Sequence, residues 1–109
     1  MSEMKEITNA ILDFRDERDW EQFHNAKDLA IALSIESNEL LEAFLWKPPQ
    51  EAKKEKIEEE LADVFMFAFL LAHEQGIDIK DIVLKKLEKN REKYPVSKSK
   101  GSAKKYNEL

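Results

Sequence analysis

Apolar side chains recur every three or four positions along most of this sequence, which is the spacing that lines one face of an α-helix. Only two residues are glycine, and no segment shows the period-two alternation that is typical of a half-buried strand. Prolines interrupt the pattern at Lys47-Pro48-Pro49 and at Tyr94-Pro95, where a helix cannot continue. We therefore predict an all-α fold, a four-helix bundle of antiparallel helices with short connections.

Capping residues and helix breakers set the bounds of the four predicted helices. Counted with their caps, these helices span residues 2–18, 25–46, 50–76 and 78–94. Asn25 and Asp78 are typical N-caps, and Gly76 suits the left-handed conformation that follows many helices. We predict a helical domain over residues 1–95, followed by a polar and basic C-terminal arm over residues 96–109.

The third predicted helix contains an apolar run from Val64 to Ala72 that has no polar face. A helix of this kind is normally buried on every side. Three neighbouring helices in a chain of 109 residues can barely provide that cover. The run therefore predicts homo-oligomerisation through the third helix, either as a tetramer built from two dimers or as a dimer.

The composition excludes several classes of function. No cysteine is present, so neither a disulfide framework nor a thiolate metal site can form, and the sequence suits a reducing cytoplasm. No apolar run approaches the roughly 18 residues that cross a membrane. The net charge is −5, with the acidic excess in residues 1–76. We therefore predict a cytoplasmic protein that binds neither membranes nor polymeric nucleic acid, although the basic residues 77–109 are compatible with a small phosphate-bearing ligand.

Two pairs of acidic residues interrupt the apolar stripes of the second and third helices. The pairs are Glu36 with Glu39 and Glu60 with Asp63, each spaced three residues apart. If the two helices form a hairpin about the Pro48-Pro49 break, the pairs reach nearly the same level, because they are almost equally distant from the turn. Four converging carboxylates would repel one another and lose hydration. The effective cost is on the order of several kcal/mol per buried ion.

A bound divalent cation would compensate these charges. The four acids supply only oxygen ligands, with no histidine or cysteine among them, and such sets favour Mg²⁺, with Mn²⁺ or Ca²⁺ as alternatives. The residues alone therefore predict a metal centre formed by Glu36, Glu39, Glu60 and Asp63. One carboxylate that is not fully committed to the metal could act as a general base, and the spacing does not say which.

The same four acids carry a resemblance to a known family. The pattern Glu36-x-x-Glu39 followed by Glu60-x-x-Asp63 resembles the metal-binding signature of the all-α nucleoside triphosphate pyrophosphohydrolases, the MazG-like superfamily. Further segments are similar to its dCTP pyrophosphatase branch, namely residues 18–24, Trp46, Asn90-Arg91, Tyr94-Pro95, Gly101-Ser102 and Lys104-Lys105-Tyr106. The resemblance implies Mg²⁺-dependent hydrolysis of dCTP, or of a related or modified deoxynucleotide, to the monophosphate and pyrophosphate, as house-cleaning of the nucleotide pool.

The resemblance also implies which residues contact the nucleotide. It assigns base contacts to Trp20, Trp46 and Phe67, and sugar and phosphate contacts to Lys86, Asn90, Arg91 and Tyr94. From the residues alone, the aromatic side chains are equally typical of a core and the charged ones of a solvated face. Members of this branch can carry a base-contacting histidine where this chain has Ile11, which leaves the base specificity open.

Other functions are consistent with these residues. The chain could be a metal-dependent nucleotide-binding module that does not hydrolyse its ligand, or an interaction protein whose acidic stripe is a polar seam. Within the enzymes, it could be a sibling pyrophosphohydrolase that acts on dUTP or on a phosphoribosyl nucleotide.

Overall fold

The computed structural model describes residues 2–109, and all regular structure in this range is helical. The predicted all-α class, with four principal helices, is therefore confirmed. The chain divides into two compact units, one ending at Ile77 and the other comprising Asp78–Leu109. Across residues 2–109, no helix combines the length and the apolar character that a membrane crossing requires.

Three helices form the first unit, and two short 3₁₀ turns connect them. The helices are α1 (Glu3–Glu17), α2 (Ala26–Glu42) and α3 (Lys54–Glu74), and the turns are Glu21–Phe23 and Pro49–Glu51. The most extensive packing is between α2 and α3, and α1 also packs on α3. The buried apolar side chains of this unit come from α2, from the residue that caps its C-terminus and from α3: Leu29, Ala43, Phe69, Leu70 and Ala72.

The ends of these helices follow the predicted capping chemistry. The side chain of Asn25 accepts a hydrogen bond of 2.8 Å from the backbone N–H of Asp28, and so caps α2. Gly76 has a φ of 64°, in the left-handed region, directly after α3. The backbone N–H groups of Gly76 and Ile77 then donate to the carbonyls of His73 and Ala72, at 3.1 and 2.8 Å. This double hydrogen bond satisfies two terminal carbonyls of α3.

The connection between α2 and α3 differs from the sequence prediction. Regular α-helix ends at Glu42 rather than at Trp46, and the next backbone N–H groups donate to carbonyls three residues back. Trp46 itself has a φ of 60°, a left-handed conformation that is uncommon for a bulky side chain. The residue before a proline disfavours the α region, so Pro48 excludes helix at Lys47, and the regular α-helix ends four residues before Trp46. Residues Pro49–Glu51 form a 3₁₀ turn, and α3 begins at Lys54 rather than near residue 50.

The second unit contains α4 (Ile79–Lys93), a short helix α5 (Val96–Ser99) and a 3₁₀ turn (Tyr106–Glu108). The Asp78 side chain accepts from the backbone N–H of Asp81 at 3.0 Å, which confirms the predicted N-cap. Near the chain end, the ring of Tyr106 lies edge-on to that of Tyr94, with 6.2 Å between centroids. The segment predicted as an arm therefore folds back on the end of α4, while the predicted domain boundary at residue 95 stays a prediction.

Candidate metal centre and nucleotide site

Three of the four predicted metal ligands converge between α2 and α3. Glu36 on α2 and Glu60 and Asp63 on α3 each offer one carboxylate oxygen, and these three oxygens lie within 4.8 Å of one another. Glu36 lies shortly before the end of α2 and Glu60 shortly after the start of α3. The two helices therefore pack as the antiparallel hairpin that the sequence predicted.

The positions of these acids in the helices explain why they meet. Leu29, Glu36 and Ala43 follow one another at intervals of two helical turns, so they share the stripe of α2 that faces inward. Leu29 and Ala43 are buried core residues, and Glu36 lies midway between them. On α3, Glu60 and Asp63 are one turn apart and project from the same face. Packing the two apolar stripes together therefore brings the three carboxylates together.

Two oxygens of this triad lack any protein partner. The Oε2 atoms of Glu36 and Glu60 are both buried from solvent and accept no hydrogen bond from the residues that the structure describes. A buried carboxylate oxygen without a partner costs free energy, because it has lost its hydrating water. Three close carboxylates with free lone pairs fit a hard divalent cation, which prefers oxygen ligands. The triad, Glu36, Glu60 and Asp63, can therefore bind a divalent metal ion.

The electrostatics of the triad are most evident at Glu36. Its pKa is raised from 4.5 to about 7, and burial is the largest cause. A hydrogen bond shared with the Glu39 carboxyl, and the charges of Glu39, Asp63 and Glu60, raise this pKa further. In the metal-free protein, Glu36 therefore holds its proton to a higher pH than an ordinary glutamate does.

This raised pKa gives a testable pH dependence of stability. Between pH 4.5 and about 7, the folded chain binds the Glu36 proton more tightly than the unfolded chain does, so unfolding releases protons. We expect the stability of the metal-free protein to fall as pH rises through this window and this contribution to level off above it. Thermal melts in a chelator between pH 5 and pH 8 would measure the fall, and Glu36→Gln should flatten it. An identical pH profile in the two proteins would contradict the assignment.

Glu39 is the predicted metal ligand that lies outside the triad. It is partly buried one turn further along α2, where its carboxyl is close enough to Glu36 to raise that group's pKa. Its oxygens are not among those that lie within 4.8 Å of one another. Direct coordination by Glu39 stays a prediction.

Lys56 is a site residue that the sequence reasoning missed. Its ammonium lies 2.7 Å from Oε1 of Glu60, one turn further along α3. The hydrogen bond from Lys56, followed by the charge of Glu60, raises the pKa of the lysine. The spacing of four residues between lysine and glutamate was visible in the sequence and is typical of helical ion pairs. It does not distinguish Lys56, because the chain contains many such charges.

The three aromatic residues assigned to the base occupy different positions in the first unit. Trp20 follows α1 and lies edge-on against Phe14, with ring centroids 5.7 Å apart. Trp46 follows α2 and is 94% exposed. Phe67 is partly buried on α3, one turn beyond Asp63. Phe67 is therefore placed next to the triad along the helix, and all three base contacts stay predictions.

Arg15 bonds to the turn that carries Trp20, and His24 follows that turn. Arg15 is buried and pairs with Asp16 at 2.8 Å and with Glu21 at 3.6 Å, and its carbonyl accepts from the backbone N–H of Trp20. His24 has a buried Nδ1 without a hydrogen-bond partner among residues 2–109, and burial and then the charge of Arg15 lower its pKa. His24 is therefore neutral at physiological pH.

The four residues assigned to the sugar and phosphates all lie on or directly after α4, in the second unit. Lys86, Asn90 and Tyr94 succeed one another at one-turn intervals and share a face. Arg91 is exposed and pairs with Glu88 on the same helix. The helix thus presents two cations, an amide and a phenol on neighbouring faces, and their contacts with a nucleotide stay predictions.

Known proteins are similar to this chain over most of its length. The sequence profile of the MazG-like family matches residues 31–109, which include the triad. The chain is 39% identical to dCTP pyrophosphatase 1 of Bos taurus, over 97% of this chain and 68% of that protein, and 36% identical to dCTP pyrophosphatase 1 of Homo sapiens, over 97% and 67%. The crystal structure of a pyrophosphatase from Archaeoglobus fulgidus matches with a TM-score of 0.81 at 37% identity, over 87% of this chain and 94% of that one.

Proposed function

Because the chain belongs to the MazG-like family, we propose that it is a nucleoside triphosphate pyrophosphohydrolase that converts dCTP, or a related deoxynucleotide, to the monophosphate and pyrophosphate. The observation that carries this proposal is the acid triad between α2 and α3, with its two buried and unpartnered carboxylate oxygens. We place the activity in the cytoplasm, since the cysteine-free sequence suits a reducing compartment.

Mg²⁺ is the proposed metal, and Glu36, Glu60 and Asp63 are its proposed ligands, with Glu39 as a fourth. When bound, the cation would neutralise triphosphate charge and lower the pKa of the attacking water. The triad holds its carboxylates in place before the substrate arrives, because both helices are fixed by their shared core. If Glu39 stays outside the metal's coordination, its carboxylate could instead accept a proton from the attacking water.

The remaining contacts provide affinity and specificity. Trp20, Trp46 and Phe67 offer apolar ring surface on which a base can stack. Lys86 and Arg91 supply the positive charge that a triphosphate requires, and Asn90 and Tyr94 supply polar groups for the sugar and phosphates. Ile11 has no polar group with which to read a base edge, so we propose a tolerance for modified cytosines.

The reaction is tested by incubating the purified chain with Mg²⁺ and a panel of nucleoside triphosphates. We expect release of pyrophosphate, and not of orthophosphate, with dCTP or a modified dCTP among the best substrates. Preference for dUTP would assign a sibling specificity. Intact dCTP after prolonged incubation, together with tight binding in calorimetry, would instead favour a nucleotide-binding module without hydrolysis.

We further propose that the functional form is a homo-oligomer, a tetramer or a dimer, assembled through α3. The support is apolar surface that a single chain leaves uncovered. Phe65 is 56% exposed and Leu61, one turn before it, is 39% exposed. Clustered exposed apolar side chains of this size mark interaction surfaces. Partner copies would supply the cover that the apolar run of α3 needs.

A further inference from the structure

Lys56 is a positively charged neighbour of the triad and lies on α3 with Glu60. Lys56 and Glu60 form an ion pair of 2.7 Å in which the glutamate side chain is 9% exposed and the lysine side chain 51% exposed. One end of this pair is therefore fixed within the protein, and the other end stands at the solvent boundary. The lysine ammonium is carried on a flexible four-carbon stem, so it can move away while the carboxylate stays in place.

Within residues 2–109, Lys56 is the cation that the structure pairs with the triad. The other ion pairs of this range join Arg15 to Asp16 and Glu21, Arg18 to Glu17, and Arg91 to Glu88, and none of these includes a triad acid. The pair also uses only one oxygen of Glu60, since Oε1 accepts from Lys56 and Oε2 has no partner. The lysine thus satisfies part of the triad and leaves the rest available.

The negative charge of the triad can be neutralised either by Lys56 or by a divalent cation. Three carboxylates with oxygens within 4.8 Å of one another need positive charge, and a single ammonium supplies only one unit. A cation bound to the triad would lie close to the Lys56 ammonium and repel it. The half-exposed lysine is the partner that can leave.

We propose that Lys56 is the resident counter-ion of the metal-free triad, that it competes with the divalent cation for Glu60, and that, once displaced, its ammonium contacts the phosphates of the substrate. The first part concerns the metal centre alone. The second part rests on the proposed function, because it requires a triphosphate beside the triad. Lys56 is thus a positioning residue in the metal-free protein and a substrate contact in the loaded one.

Metal binding without nucleotide tests the first part. Titration calorimetry with Mg²⁺ and Mn²⁺ would compare the wild-type chain, Lys56→Gln and Lys54→Gln. Lys54 also lies on α3, and no ion pair includes it in the described range 2–109, so its variant controls for net charge. We expect Lys56→Gln to bind metal about fivefold more tightly, an effect kept modest by solvent screening and smaller at high salt. Lys54→Gln should stay within about twofold of the wild type.

Thermal stability provides a second measure that does not depend on hydrolysis. Lys56→Gln should melt at a lower temperature than the wild type in a chelator, and the difference should vanish at saturating metal. Lys56→Arg keeps the positive charge and should retain wild-type metal affinity. Unchanged or weaker metal affinity in Lys56→Gln would overturn the competition. A wild-type chain that binds no metal would instead overturn the metal centre itself.

Kinetics at saturating metal test the second part. If the displaced ammonium contacts phosphate, Lys56→Gln should raise the KM for the nucleotide at least about fivefold, as loss of a charged contact does, while changing kcat less. An unchanged KM together with tighter metal binding would confine Lys56 to its role as counter-ion and overturn the phosphate contact.

Discussion

Glu36→Gln is expected to abolish pyrophosphate release from dCTP while leaving the helical fold intact. The amide has the shape of the carboxylate but cannot supply the negative charge that the triad offers to a cation. We expect at least about a thousandfold loss in kcat/KM, which corresponds to about 4 kcal/mol of transition-state stabilisation. The measurement is initial-rate pyrophosphate release under saturating Mg²⁺, with circular dichroism to confirm the helix content.

The same substitution should stabilise the metal-free protein above pH 7. Burial and the neighbouring acids raise the pKa of Glu36 to about 7. A neutral glutamine side chain at this position removes the repulsion between Glu36 and the other carboxylates. Activity and stability should therefore change in opposite directions, which a merely misfolded variant cannot show. Glu42→Gln is the matched control. This substitution removes the same charge at an exposed residue, the last of α2. Full activity in Glu36→Gln would refute the assigned site.

If the chain forms the proposed oligomer, Phe65→Glu is expected to dissociate it into chains of 12.8 kDa. The exposed ring of Phe65 lies one turn from Leu61 on α3. An unpaired carboxylate buried in an apolar interface costs on the order of several kcal/mol. Size-exclusion chromatography with light scattering would measure the mass. Phe65→Leu keeps an apolar contact and should preserve the wild-type mass.

The outcome for the Phe65→Glu chain distinguishes the possible interfaces. A variant that keeps the oligomeric mass would show that this face of α3 lies outside the interface. A wild-type chain of monomeric mass would refute the assembly altogether. A dissociated variant that loses activity would show that assembly supports the site, and circular dichroism would establish that its helices remain.

Local chemistry explains which parts of the fold could be predicted from the sequence. The N-caps at Asn25 and Asp78 and the left-handed Gly76 depend on interactions within a few residues, so composition and spacing reveal them. The proline break predicts that the helix ends before Lys47, but the change to three-residue hydrogen bonds after Glu42 and the positive φ of Trp46 have no local signal in the sequence. Propensity disfavours a positive φ for a bulky residue, so the sequence gives no reason to expect it at this position.

The candidate metal centre could also be predicted from the sequence only in part. Two i, i+3 acid pairs at matching distances from a proline break predicted that Glu36 would meet Glu60 and Asp63, and the hairpin brings them together. The spacing could not separate Glu39 from the others, because side-chain rotamers decide which oxygens fall within ligand distance. Nor could it single out Lys56, since a lysine one turn from a glutamate is common on any charged helix.

The two tryptophans differ in exposure, so the intrinsic fluorescence of the chain can report on their surroundings. The indole of Trp46 is 94% exposed, whereas Trp20 rests against the ring of Phe14. The two fluorophores therefore sit in environments of different polarity, and no other tryptophan is present to mask either. With Trp20→Phe, all remaining indole emission comes from residue 46. A stacked base or a neighbouring copy that covers this ring would change the wavelength or the intensity of the tryptophan emission, so binding can be followed without an added label.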